Sequence, residues 1–174
     1  AVSPDGSRIA YSKAGDGTAN VVVENLRTNE RKYLTQYTDG RSIYSKDWSP
    51  DGRWFVYTMS RDAGRSMVLV DLRTGEERIL FQGPPDYRNP VFSTDGRKIF
   101  YSADVTGIFN IYSYDLETQA VRKHTNVLGG AFMPSVSSNG ALVYSLYDNA
   151  GYRLAVLSNP SVVGDAESQY LANF

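Results

Sequence analysis

His124 is the only histidine in this 174-residue chain, and cysteine is absent. Thiol catalysis, thiolate metal sites and disulfide frameworks are excluded together, and so is a multi-histidine metal centre. Serine is abundant, but no Gly-x-Ser-x-Gly elbow presents one as a nucleophile. His124 stands in Arg122-Lys123-His124-Thr125, where an exposed or partly packed strand residue is expected rather than a general base. Asp5, Asp51 and Asp95 fall in one recurring Ser-x-Asp-Gly setting, which turn geometry explains more simply than acid/base work done once per molecule. Lys13 to Thr18 lacks the oxygen ligands of a calcium loop and reads as a hairpin. Leu128-Gly129-Gly130 lacks the lysine and helix of a phosphate loop. No catalytic residue, metal or cofactor is expected.

Charge and hydropathy narrow the field further. Eighteen basic and 19 acidic residues leave a formal net charge of -1, which offers no field for gripping a nucleic acid backbone. No stretch approaches the roughly 18 apolar residues of a transmembrane helix, and no targeting signal is visible at Ala1-Val2-Ser3-Pro4. The mixed charge runs Arg27 to Lys32 and Arg73 to Arg78 read as solvated outer hairpins.

The elements that carry these residues repeat. Ser3-Pro4-Asp5-Gly6 recurs as Ser49-Pro50-Asp51-Gly52, Ser93-Thr94-Asp95-Gly96 and Ser137-Ser138-Asn139-Gly140, placing the glycines 46, 44 and 44 residues apart. Within each copy the apolar runs are short, rich in β-branched and aromatic residues, and bounded by turn residues. In the second copy Asp47 to Ser49, Trp54 to Met59, Met67 to Leu72 and Glu77 to Phe81 read as four strands, and no helix of useful length is visible. Four short antiparallel strands at this period predict an all-β fold, a β-propeller of four-stranded blades. The boundaries are repeats 1–46, 47–90, 91–134 and an incomplete 135–160, followed by an exit segment over 161–174.

Trp48-Ser49-Pro50-Asp51-Gly52, Ile9-Ala10-Tyr11, Asp71-Leu72-Arg73-Thr74-Gly75 and Asp115-Leu116 resemble the WD40-like repeats of TolB-type β-propellers, over Ala1 to about Pro160. The same repeats occur in the propellers of prolyl-oligopeptidase-like and tricorn-like peptidases. TolB propellers usually have six blades and follow an α/β domain, so the resemblance implies that about four blades here are part of a larger propeller. It also implies a periplasmic or otherwise extracytoplasmic location and a channel-side face that docks a protein, such as an envelope lipoprotein or a subunit of a larger complex. Two alternatives stand beside this: a substrate-gating propeller of a serine peptidase, and a structural subunit packing by its blade sides.

Loops carry function on rigid scaffolds, and the connections between blades are the segments that vary here. Arg41, Tyr44 and Lys46 lie between blades one and two, Tyr87, Arg88 and Asn89 between two and three, and Phe132 between three and four. Arginine and aromatic residues are the types enriched at interface hot spots, so these seven are the expected partner-binding residues. Lys46, Asn89 and Met133 are expected to share one approach position. The 13 tyrosines are otherwise expected to be packing residues.

Overall fold

The computed structural model describes residues 1–61 and 64–164. Every regular element among them is a strand, and the strands form four antiparallel sheets of three or four members, each a simple meander. Blade one holds β1 (Arg8–Gly15), β2 (Thr18–Asn25) and β3 (Arg31–Tyr33). Blade two holds β4 (Ser42–Trp48), β5 (Trp54–Ser60), β6 (Ser66–Asp71) and β7 (Glu77–Phe81). Blade three holds β8 (Tyr87–Phe92), β9 (Lys98–Ala103), β10 (Asn110–Asp115) and β11 (Val121–Lys123). Blade four holds β12 (Gly130–Val136), β13 (Leu142–Asp148) and β14 (Gly151–Leu157). In blade one the first-strand place is taken by a single bridge, Val2 to Ile9. The chain divides into two compact units, Ala1–Pro84 and Pro85–Phe174.

Two local turns are built by the same chemistry in successive copies. In the first, the serine hydroxyl donates to the aspartate of its own Ser-x-Asp-Gly turn, from Ser3 to Asp5 at 2.6 Å and from Ser93 to Asp95 at 2.6 Å, with Ser49 and Asp51 paired likewise. The same carboxylate oxygen accepts a backbone N–H two residues on, from Ser7, Arg53 and Arg97. Gly52 closes the turn at φ 69°, a dihedral that costs a residue with a Cβ. In the second turn Asn25, Asp71 and Asp115 cap the hairpin after the third strand by accepting from Arg27, Arg73 and Glu117 N–H. These bonds span two residues, so each turn is specified by its own local sequence.

Each unit has its own core. In the first, Ala10 and Val21 of blade one pack with Trp48, Phe55, Tyr57, Val68 and Val70 of blade two. In the second, Phe100 and Ile111 of blade three pack with Ala131, Leu142, Tyr144 and Leu146 of blade four. In blades two and three the central strands are buried along most of their length, and all of β6 after Ser66 is buried.

The first strands depart from expectation. They start at Ser42, Tyr87 and Gly130, well before Asp47 and its equivalents, and therefore absorb about half of the predicted inter-blade loops. Each carries a register shift, between Ile43 and Lys46, Arg88 and Val91, and Phe132 and Ser135. The shift breaks the period-two pattern, and Pro90 and Pro134 lack the N–H of a normal ladder residue, so the sequence hides these strands. Asn89 and Met133 sit on the bulges in left-handed backbone, at φ 51° and 52°. Lys46 lies one repeat place further on, where blades three and four have Pro90 and Pro134, so the expected grouping of Lys46 with Asn89 and Met133 is off by one.

Of the expected exit segment, the part to Gly164 is described and the remainder lies outside the described residues. After blade four the chain returns to the outer strand of blade three. Val163 N–H donates to the Lys123 carbonyl at 2.9 Å, and the Ser161 carbonyl lies 3.0 Å from His124 Nδ1.

Candidate functional site

The end of each sheet where first strands begin and second strands finish gathers arginine and aromatic side chains. In the first unit, the segment leading into β4 is tied to blade one. Asn20 holds Tyr37 through both its amide oxygen and nitrogen, Gly40 N–H donates to Thr18 Oγ1, and the Arg41 carbonyl accepts from Ala19. Arg41 is thereby set over the Tyr37 ring at 3.9 Å, with Nε donating to Asp39 Oδ1 at 2.7 Å and Nη2 to Oδ2. That arginine pairing holds the Asp39 carboxyl at about 2, well below the usual range. Beneath it, burial and a 2.6 Å bond to Glu77 push the Tyr37 hydroxyl up to about 12, and Tyr37 also meets the buried Tyr57 hydroxyl.

Tyr44 and Lys46 lie on β4 itself rather than in a loop. Arg65 of β6's approach stacks on the Tyr44 ring at 4.1 Å. Lys46 Nζ donates to the Tyr44 carbonyl at 2.9 Å and reaches Ser12 Oγ at 3.3 Å, and burial of the ammonium lowers its pKa.

In the second unit the same repeat positions carry the same pairing with the roles exchanged. Arg88 Nε donates to Asp86 Oδ2 at 2.7 Å, and its guanidinium lies 4.5 Å over the Phe109 ring. Phe109 meets Phe132 of the next blade at 5.0 Å, Phe132 meets Tyr152 at 6.2 Å, and Tyr152 meets Tyr147 at 5.0 Å. An arginine and four rings thus form a continuous ribbon along blades three and four, ending on two exposed tyrosines, Tyr152 and Tyr147. Tyr87 turns the other way: it is buried and packs on Tyr101 at 6.0 Å, so it supports the fold. Asn89 sits on the β8 bulge.

The seven expected residues therefore divide. Arg41, Tyr44, Arg88 and Phe132 form ring–guanidinium or ring–ring contacts at strand-entry ends, Lys46 and Asn89 occupy first strands, and Tyr87 is interior. Sequence reasoning missed Arg65, Phe109 and Tyr152, which stack on Tyr44, Arg88 and Phe132. They lie 21, 21 and 20 residues after those partners, so repeat arithmetic extended to the third strand would have found them. It also missed Asp39 and Asp86, each two residues before its arginine.

Stacked guanidinium groups and rings of this kind can bind through surface and charge. His124 is buried, not exposed or partly packed as expected, because it is walled in by Phe100 at 5.3 Å and by the returning chain. Its Nε2 is bonded to Ser113 Oγ at 2.8 Å. Among the described residues no group of three or more histidines, cysteines or carboxylates is placed to hold a metal ion.

The TolB β-propeller domain model matches residues 1–167. The chain belongs to the TolB β-propeller family. A TolB from Agrobacterium tumefaciens is 25% identical with a TM-score of 0.80, covering 93% of this chain and 62% of that one. TolB from Acinetobacter baumannii is 20% identical with a TM-score of 0.77, covering 93% and 41%. A puromycin hydrolase S511A mutant complexed with PGG shares the fold at 15% identity and a TM-score of 0.70, covering 90% and 26%. This family member thus spans less than two thirds of the length of these structures. No curated protein matches it.

Proposed function

We infer that this TolB-family chain is a non-catalytic interaction module that binds a protein partner through the strand-entry ends of its blades, in the bacterial envelope. The observation that carries the reading is the recurrence of one recognition pair in three successive blades: Tyr44 with Arg65, Arg88 with Phe109, and Phe132 with Tyr152. Packing alone does not require an arginine and an aromatic to exchange places at a surface position. Interface anchors are drawn from these residue types, and the neighbouring carboxylate Asp86 fixes the Arg88 guanidinium before a partner arrives. We also assign the four blades to a larger propeller. Leu154 on β14 is 79% exposed, whereas Ile111, at the same repeat position of β10, is fully buried in the core shared with blade four.

Photo-crosslinking residues placed at Tyr44 and Phe132 are expected to trap a protein in an envelope extract, while one at Thr94, in the turn at the opposite end, is not. Once that protein is purified, Arg88→Ala with Phe132→Ala is expected to weaken its binding at least tenfold, since anchor residues cost about 2 kcal/mol or more on truncation. Crosslinking from Thr94 alone, or unchanged affinity in the double variant, overturns the reading.

A further inference from the structure

Between blades one and two, at the end where first strands finish and second strands begin, the first unit holds a pocket of about 240 Å³. Its position follows from the register of blade one. Arg8 pairs with Asn25, whose N–H donates to the Glu30 carbonyl, and Val23 pairs with Lys32. Residues two apart on a strand share a face, so these stand on the side of blade one that carries Ala10 and Val21 into the core shared with blade two. Val23, Leu34, Trp48 and Leu72 give the pocket an apolar floor, with the half-buried Arg8 and the exposed Glu30 and Lys32 around it. Drug-sized ligands occupy about 300–1,000 Å³, so this space suits a smaller molecule.

The charged groups of the pocket are uncommitted. Arg8 lies over the Trp48 ring at 4.9 Å, and the side chains of Arg8, Glu30 and Lys32 make no ion pair or hydrogen bond among the described residues. Their neighbours are spent: Arg31 on Glu24, Arg53 on Asp71, and Asn25 on the N–H groups of Arg27 and Thr28. Asp5 acts on Arg8 only through space, because its carboxylate is held by Ser3 and Ser7. The mixed run Arg27 to Lys32 thus lends two opposite charges to an apolar hollow.

The ligand that uses every one of these groups carries both charges on a short apolar body. An uncharged apolar molecule leaves three charges unmatched, and a carboxylate without an amine leaves Glu30 unanswered. A phosphate monoester, at about −1.5 to −2, is repelled by that same carboxylate. A residue inside a peptide has neither charge on its backbone. We propose that this pocket binds a free apolar α-amino acid of about leucine size, its side chain on Trp48 and Leu72, its carboxylate on Arg8 and Lys32, and its ammonium on Glu30. The site lies at the opposite end of the blades from the strand-entry ends and does not depend on the docking reading.

Trp48 and Trp54 are the two tryptophans of the chain, so indole N–H resonances of the ¹⁵N-labelled protein, assigned with Trp54→Phe, report on the site. L-leucine is expected to shift the Trp48 resonance saturably and to leave Trp54 in place. N-acetyl-leucine and leucinamide, each lacking one charge, are expected to bind about fivefold more weakly, the upper range for one exposed ion pair, and glycine is expected to give no shift. Lys32→Gln and Glu30→Gln, both at exposed positions, are each expected to weaken leucine about fivefold, and Glu30→Gln also to erase the difference between leucine and N-acetyl-leucine. The absence of a saturable shift with leucine overturns the proposal, as does a shift with glycine. So does equal affinity for leucinamide, or for N-acetyl-leucine, which would assign the pocket to a peptide carboxyl terminus. Unchanged leucine affinity in either variant overturns it as well.

Discussion

Each nitrogen of the sole imidazole has a defined role. The Ser161 carbonyl can only accept, so Nδ1 carries the proton and donates, and Nε2 accepts from the Ser113 hydroxyl. Burial holds the pKa of His124 below its ordinary 6.5, and Lys98 and Arg122 act in the same direction against the opposing bonds from Ser161 and Pro160. As pH falls, the unfolded chain takes up the proton first. The stability linked to this group is therefore full above about pH 6.5 and declines below it. With one histidine in the chain, a single imidazole resonance followed by NMR checks this, and its midpoint in the folded protein is expected below 6.5. A midpoint at or above that value contradicts the burial argument. None of this was legible in the residue type. The partner atoms lie 11 and 37 residues away, and the reading of an outer-strand residue took no account of the chain's return.

At the scale of elements, Asn110 latches the fourth strand of blade three to the third. Its Oδ1 accepts from Thr125 Oγ1 at 2.9 Å and from Val127 N–H at 3.0 Å, while Thr125 Oγ1 accepts from Ile111 N–H. Asn20 and Thr35 repeat this in blade one. Blade two has Ser66 and Phe81 at these places, and there the pairing slips between Met67 and Val68. Asn110→Ala leaves two buried donors without their acceptor and is expected to cost about 2–3 kcal/mol by denaturant titration. Gly129→Ala is expected to do as much harm by a different route. A Cβ there would lie 1.9 Å from the Tyr147 carbonyl oxygen, so β12 and β13 would have to part, at the upper end of the roughly 1–3 kcal/mol typical of overpacking. The glycine pair that resembled no phosphate loop thus has its reason in a close strand approach. Turns of this chain were readable because their bonds span two or three residues, as between Asp51 and Arg53. The first strands were not, because bulges and prolines interrupt the pattern on which such reading depends, and so five of the seven expected site residues, Tyr44, Lys46, Tyr87, Arg88 and Asn89, proved to stand on strands β4 and β8 rather than in loops.

For the molecule as a whole, one repeat position has two fates. Ile111 is fully buried in the core that blades three and four share, and Leu154, its counterpart on β14, is 79% exposed. Ile111→Lys is expected to unfold the second unit, which its loss of near-UV circular dichroism would report. Leu154→Lys is expected to shift stability by no more than about 0.5 kcal/mol, as at other surface sites. A large loss in Leu154→Lys would mean that this strand is covered within the 174 residues. The candidate site followed the same division between local and distant information. Arg41, Arg88 and Phe132 stood out by residue type, but the stacking partners Phe109 and Tyr152 depended on the pairing of strands, which brings residues about 20 apart into contact.

The return of the chain from blade four to β11 also sets how the domain would bear a mechanical load. A pull applied beyond Gly164 reaches blade three before blade four. It acts first on the Val163 to Lys123 hydrogen bond and then on the Ser161 carbonyl at His124. Those two contacts give way in turn rather than together. They form a small release element that lengthens the tether by a few residues while the meander of blade four, with β14 paired along its length to β13, stays intact.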